Sequence, residues 1–352
     1  MPKRRKSAEI RLHKREPGEV PPPPTSARLR SWYRNAEGVL STDLNPKEFP
    51  AILAAGTGVL WVDIDITNPA HHALLRDVFA FHPLSIEDTV SIDGRVKFEE
   101  FPTYAFTVVR GVRFVVETEE LYDIETFNLC CFLGRNFVVT THGQYAPGVE
   151  QSAVHVSRSA DLLARGPAWL LHLILDATVD AYFPVMDQLD EFVDGLEARV
   201  FVAFDQDAIR DIFAVKRLVL QLKRHLSPMR EVFNILQSRP CVHIALDAQL
   251  YFRDVYDHVI RLNESLDTYR DLLSSTLDSY LTQVSNRMGM VTKGLTVVAT
   301  MSVPFVVVSG MWGMNFDNVP FSHMDNGFWV LLGVQLALGG GLLLVLRRNG
   351  WL

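Results

Sequence analysis

Two stretches near the end of the chain, residues 294–314 and 327–346, contain no charged side chain. Each holds about twenty residues, the length a helix needs to cross a hydrocarbon core of ~30 Å. No other feature restricts the fold so strongly. In lipid the backbone must satisfy its own hydrogen bonds, which helices do within one segment. The spacing therefore predicts a hairpin of two spans in a lipid bilayer. Lys293 precedes the first run and Arg347-Arg348 follow the second, while the loop at 315–326 has no Lys or Arg and carries Asp317 and Asp325. Positive charge on the flanks puts both termini in the cytoplasm and the acidic loop outside. The basic start MPKRRK is followed by polar residues, so no cleaved signal peptide is expected there. With the run Pro21–Pro24 it reads as a disordered tail over residues 1–30.

Between tail and spans the pattern changes once. Over residues 31–156, β-like runs such as VLWVDIDI (59–66), YAFTVVRGVRFVV (104–116), FNLCCFLG (127–134) and NFVVTTH (136–142) alternate with turns, and 71–88 reads as helix broken at His82-Pro83. This is an α/β domain. Residues 157–290 read as helix throughout, in three pieces: roughly 167–201, 205–238, and one from near His243 onward. Apolar residues recur through Val255, Val259, Leu262, Leu266, Tyr269, Leu273, Leu277 and Tyr280 at a period near 3.5, the mark of a long helix with a packed seam. Residues 291–352 form the transmembrane domain.

Chemistry of other kinds finds little support. No nucleophile motif, phosphate loop or metal-hydrolase signature is present, which argues against an enzyme. A net charge of −7 argues against nucleic acid and favours a cationic partner. The three cysteines, Cys130, Cys131 and Cys241, have no C-x-x-C spacing and read as buried reduced thiols. His71, His72, His82, His142, His172 and His323 lack ligand spacing and read as structural or solvated.

One stripe does carry information. Asp254, Asp257, Glu264, Asp267, Asp271 and Asp278 fall on one helical face, and the same period continues through Ser285, Gly289, Thr292, Leu295 or Thr296, Ala299, Val303, Val306, Gly310 and Gly313. Small and weakly polar residues within a bilayer belong against protein or a cavity. Several copies packed with this face inward would line a cation path: carboxylates below, an apolar constriction, and Gly313-Met314-Asn315 at the mouth. A plain oligomerisation seam, on a membrane-anchored sensor or scaffold, is the competing reading. It leaves the acidic continuation unexplained.

These residues resemble the CorA-type magnesium transporters, a family of two-span GMN-motif transporters. The likeness rests on Gly313-Met314-Asn315 closing the first span, the short outer loop, and FHPLSIED (81–88), LDATVDAYFPVMDQLDEFVDGLE (175–197), LKRHLSPMREV (222–232) and YFRDVYDHVIRLNESLDTYRDLLSS (251–275). It implies an α/β cytoplasmic domain, long stalk helices and a two-span membrane domain, assembled as a homopentameric funnel in the inner membrane. It further implies gated passive transport of Mg²⁺, with Co²⁺ and Ni²⁺ as further candidates, through a filter of Gly313, Met314 and Asn315. Mg²⁺ would be both substrate and regulatory ligand, bridging protomers at Asp88 and Asp254, with Asp278 at the cytoplasmic pore. The gate would involve Gly289, Thr292, Leu295 and Val303. At three of these the chain departs from the family: Gly289 stands where Asn is frequent, Thr292 at an apolar position, and Val303 where Met is frequent. Phe321 replaces a frequent Glu in the loop, leaving Asp317 or Asp325 to supply outer charge. The alternative reading is a Zn²⁺ transporter of the ZntB-like branch, with the same architecture.

Overall fold

The computed structural model describes residues 29–91, 94–114, 124–143, 145–203, 207–314 and 324–351. Its contacts divide the chain into two compact units between Thr276 and Leu277. The first unit opens with β1 (Leu29–Arg34), β2 (Leu40–Thr42), α1 (Phe49–Ala55), β3 (Val59–Asp65), α2 (Ala70–Asp77) and α3 (Pro83–Val90). It continues through β4 (Lys97–Glu100), β5 (Tyr104–Phe114), β6 (Ile124–Gly134) and β7 (Phe137–His142). Helices follow: α4 (Pro147–Arg158), α5 (Asp161–Ala164), α6 (Pro167–Asp180), α7 (Phe183–Ala198), α8 (Ala208–Ser238) and α9 (Leu246–Trp312), and finally α10 (Gly327–Arg348).

The strands form one mixed seven-stranded sheet in the order β2-β1-β3-β7-β6-β5-β4. Only β3 and β7 run parallel among these pairs. Alternation along β3 splits its side chains between two faces. Leu60, Val62 and Ile64 join Phe49, Leu75, Phe79, Phe81, Phe106 and Phe132 in an aromatic-rich core. Here Phe81 stacks on Phe132 with ring centroids 3.9 Å apart. Trp61 and Asp63 point to the opposite face, which α4 and α6 cover. Burial on both faces explains why the central strands read as nearly continuous apolar runs. Cys130 and Cys131 point to opposite faces and are both fully buried, which pushes the Cys130 thiol up to about 12 and Cys131 well above its ordinary value. Both are buried thiols, as expected from the sequence, whereas Cys241 is half-buried rather than buried.

The long apolar stretch 167–201, expected as one helix, is two. The chain turns at Ala181-Tyr182 and restarts with Phe183-Pro184 in the first turn of α7, a position where proline's missing N–H costs nothing. By contrast Pro228 and Pro304 lie inside α8 and α9 without ending them. The seam expected along α9 is present in the first unit: Val255, Val259, Leu262, Leu266 and Leu273 are fully buried. Lys216 Nζ donates to Ser274 Oγ at 3.0 Å, and Lys223 pairs with Asp267. That last pair corrects the acidic stripe. Asp267 is held by α8 and by Arg270, and Asp271 by Arg270, so the six carboxylates do not form a uniform free face.

The second unit contains the end of α9 and all of α10. Among the described residues, three helical stretches are apolar and long enough to span a bilayer, and burial separates them. In the apolar window of 167–201, 61% of residues are buried, against 0% in α9 and 11% in α10. The first packs inside the protein; the other two present their apolar surface outward, as lipid requires.

Candidate ion path and cation-binding carboxylates

α9 is one helix of 67 residues, and it carries Asp254, Asp278, Gly289, Thr292, Leu295 and Val303 in turn. All six are exposed in the protomer, Leu295 at 69% and Val303 at 57%. The helical ladder ends where the motif begins. Gly313 N donates to Ser309 O at 3.0 Å, Met314 N donates to Met311 O at 3.3 Å, and no strand or helix continues at Gly313 or Met314. The last carbonyls of a helix lack intrahelical partners, so this terminus presents acceptor oxygens near the motif. Met314 is exposed; Asn315 and Asp317 lie outside the described residues. Asp325 is exposed in the turn before α10. Hydroxyls along the span are satisfied locally: Thr296 Oγ1 donates to Thr292 O at 2.9 Å and Ser302 Oγ to Val298 O at 2.8 Å.

Among the described residues, Gln335 and a close approach at Gly339 join the two spans. Gln335 Nε2 donates to Ser309 Oγ at 3.1 Å and to Phe305 O at 3.4 Å. A Cβ at Gly339 would lie 2.6 Å from the Phe305 ring, so only glycine lets the helices come this near. Ser309 therefore turns toward α10, which leaves Val303, Val306 and Gly310 for the other side of the helix.

In the first unit the two aspartates expected to hold regulatory Mg²⁺ differ in surroundings. Asp88, near the end of α3, is half-buried and paired with Lys97 Nζ at 2.7 Å; the same ammonium reaches Glu99 at 2.9 Å. Asp254 is exposed on α9, and its charge acts on both His172 and Asp176 of α6. Nothing within the protomer brings Asp88 and Asp254 into a described contact.

A cluster that sequence reasoning missed lies beside Asp254. Asp176 and Asp180, one turn apart on α6, face His258 of α9, and their ligand atoms all fall within 4.8 Å of one another. His258 Nδ1 donates to Asp180 Oδ1 at 3.0 Å and lies 3.9 Å from Asp176 Oδ1. Burial pushes the Asp176 carboxyl up to about 6; the charges of Asp180 and Asp254 add to the effect, and His258 opposes it. Carboxylates crowded this way favour a cation among them. The D-x-x-x-D spacing at 176–180 was visible, but its partner is 78 positions away in sequence. His82 and His71 hold structure: His82 Nδ1 caps α3 by accepting from Leu84 N at 3.2 Å, and His71 Nδ1 bonds Asp65 O at 2.7 Å. His323 lies outside the described residues.

An outward-facing apolar hairpin on a large mixed α/β unit defines a two-span membrane protein, and the placement of neutral and acidic oxygens along one helix fits cation handling. A match to the family of CorA-like Mg²⁺ transporter proteins covers residues 56–348, and the chain belongs to that family. It is 34% identical over 292 residues to the putative metal ion transporter YfjQ of Bacillus subtilis, covering 83% of this chain and 89% of the relative. It is 29% identical to the cobalt/magnesium transport protein CorA of Thermotoga maritima, covering 78% of each. Among solved structures, the CorA magnesium transporter from Methanocaldococcus jannaschii superposes with a TM-score of 0.78 over 92% of this chain and 98% of that one, at 19% identity. The protein is therefore a membrane-embedded divalent-cation transporter relative and not an enzyme.

Proposed function

We propose that the chain forms a homopentameric, gated, passive pathway for Mg²⁺ in the cytoplasmic (inner) membrane, with Co²⁺ and Ni²⁺ as further substrates and both termini inside. The carrying observation is α9 itself. One helix runs without interruption from the exposed carboxylates Asp254 and Asp278 to a charge-free span, and its ladder stops at Gly313. In this reading α9 of each protomer faces the axis, with Gly289, Thr292, Leu295 and Val303 forming the narrow part. Apolar constrictions of that kind gate by dewetting. Gly313, Met314 and Asn315 form the filter. Mg²⁺ gives up its waters reluctantly. Neutral carbonyl and amide oxygens can hydrogen-bond that water shell without binding so tightly that release fails. Asp317 and Asp325 concentrate cations outside. Transport is driven by the gradient and the potential, worth about 2.3 kcal/mol per charge per 100 mV.

Mg²⁺ also acts as regulatory ligand. Asp88 and Asp254 of neighbouring protomers repel until a divalent ion sits between them, so occupancy biases a closed state. The Asp176–Asp180–His258 cluster beside Asp254 adds a second group of donors to that surface. The Zn²⁺ alternative is not favoured over this reading, since the donors along the path are oxygens, which suit Mg²⁺.

Reconstitution tests the core of the proposal. Purified protein should carry the native mass of five protomers, and liposomes containing it should take up Mg²⁺ down a gradient. Asn315→Ala should reduce uptake about tenfold or more, if one lost hydrogen bond per protomer to the hydrated ion costs about 1 kcal/mol. Uptake by wild type no faster than by empty vesicles would sink the transport reading.

A further inference from the structure

We infer that the first unit carries a second ligand site: an arginine-lined cleft that binds a small, multiply phosphorylated anion. The cleft encloses about 870 Å³ between the β5–β6 hairpin, the segment leading into β4, and one stripe of α8. Its floor is Arg110 of β5 and Thr126 of β6; its walls bring Arg95 from one side and Arg217, Gln221 and Arg224 from the other. The last three, at separations of four and three residues, share a single face of α8.

Four guanidinium groups converge here in a chain whose net charge is −7. Among the described residues lining the cleft, none is Asp or Glu. Two carboxylates on neighbouring elements are committed elsewhere: Asp88 to Lys97 at 2.7 Å, and Glu125 to Arg113 at 2.6 Å. Arg95, Arg217 and Arg224 have no hydrogen-bond or ion-pair partner among the described residues. Arg110 is buried at 7% exposure and is held in place in part by Asn128, whose amide oxygen accepts from its guanidinium. Like charges focused in a partly desolvated cleft repel one another and raise the local potential, which a polyanion relieves.

The geometry selects the kind of anion. Guanidinium forks match phosphate oxygens two at a time, and several forks at different depths suit a chain of phosphates better than one. Thr126 and Gln221 add neutral donors. The volume lies within the range of small-molecule sites and accommodates a nucleoside triphosphate or an inorganic polyphosphate. Arg95 stands two positions before Lys97, the residue that holds Asp88, so the cleft borders the surface already assigned to regulation.

Binding can be measured without transport. Full-length protein in detergent, with a chelator to remove divalent ions, is titrated by calorimetry with inorganic tripolyphosphate, ATP and orthophosphate at near-physiological ionic strength. Tripolyphosphate should bind saturably at one site per protomer and compete with ATP, with orthophosphate about tenfold weaker or more, since it can engage fewer charge-assisted bonds. Arg217→Gln/Arg224→Gln, on the exposed face of α8, should weaken tripolyphosphate about tenfold or more while leaving the thermal midpoint unchanged. Arg110→Gln should do the same, but its burial makes the double variant the primary measure. Three results overturn the inference: no saturable tripolyphosphate binding, binding indifferent to the double variant, or ATP binding that tripolyphosphate does not displace. The first is also the outcome if acidic residues 115–123 of the same chain fill the cleft. None of these bears on Mg²⁺ uptake, so the two proposals fail separately.

Discussion

Asp63 shows what a single buried charge demands of its surroundings. It projects from β3 onto the sheet face covered by α4, where Arg30 of β1 reaches it at 2.7 Å and Thr140 Oγ1 donates to it at 2.6 Å. Arg30 extends the chain to Glu150 of α4 at 2.7 Å. Burial alone would raise the carboxyl, but His142, Arg30 and Thr140 outweigh it and hold it down to about 2. A folded-state value below the usual 3.8 stabilises the fold above that pH, and the gain is lost as pH falls from about 4 toward 2. Asp63→Asn should therefore flatten the acid limb of stability and, at neutral pH, cost on the order of 3 kcal/mol, because Arg30 is left with Glu150 alone and a buried charged network loses a partner. Thermal midpoints of full-length protein across that pH range measure it; an unchanged acid limb would refute the assignment. Asp88 gives the opposite kind of residue-scale prediction. Lys97 pairs with its carboxylate, and in the proposed bridge would compete with the divalent ion for it. Lys97→Met should lower the Mg²⁺ concentration that protects the cytoplasmic region from protease several-fold, on the order of 1 kcal/mol for a half-exposed pair. Asp254→Ala should remove that protection. Protection by the same Mg²⁺ concentration in wild type and both variants would exclude bridging at these aspartates.

At the scale of elements, the α9–α10 contact rests on Gln335, Ser309 and the gap at Gly339. Gln335→Leu removes the two donated bonds and should destabilise the hairpin by about 1 kcal/mol, the usual worth of a polar contact between spans. A shift in the detergent-phase melting midpoint reads it, and a midpoint at or above wild type would show that the contact contributes nothing. The spans were legible in sequence because lipid accepts only one pattern. So were β3, β5, β6 and β7, whose burial on both faces leaves largely apolar runs. β1 was not, since LRSWYR carries two arginines, and Arg30 is spent on Asp63 rather than on water. The break between α6 and α7 hid inside continuous apolar periodicity, although Pro184 marked it. Asp176, Asp180 and His258, like the arginines of the cleft, come together only through tertiary packing of α6, α8, α9 and the sheet. Sequence spacing records neighbours along one helix, and these sites are built across several.

For the molecule as a whole, one element bears the gate residues and the cytoplasmic carboxylate of the proposed ion path, with the filter following directly after its end. Asp278, Gly289, Thr292, Leu295 and Val303 are beads on a single screw, and α-helical geometry fixes their azimuths relative to one another. The helix therefore keeps time along its length like a threaded rod. Adding one residue between Asp278 and Gly289 turns everything beyond it by about 100°, while adding seven returns the thread to within about 20°. Mg²⁺ uptake should be lost in the first case and largely kept in the second. If both insertions transport alike, the angular phase of α9 carries no information, and the lining must be set by something other than this helix.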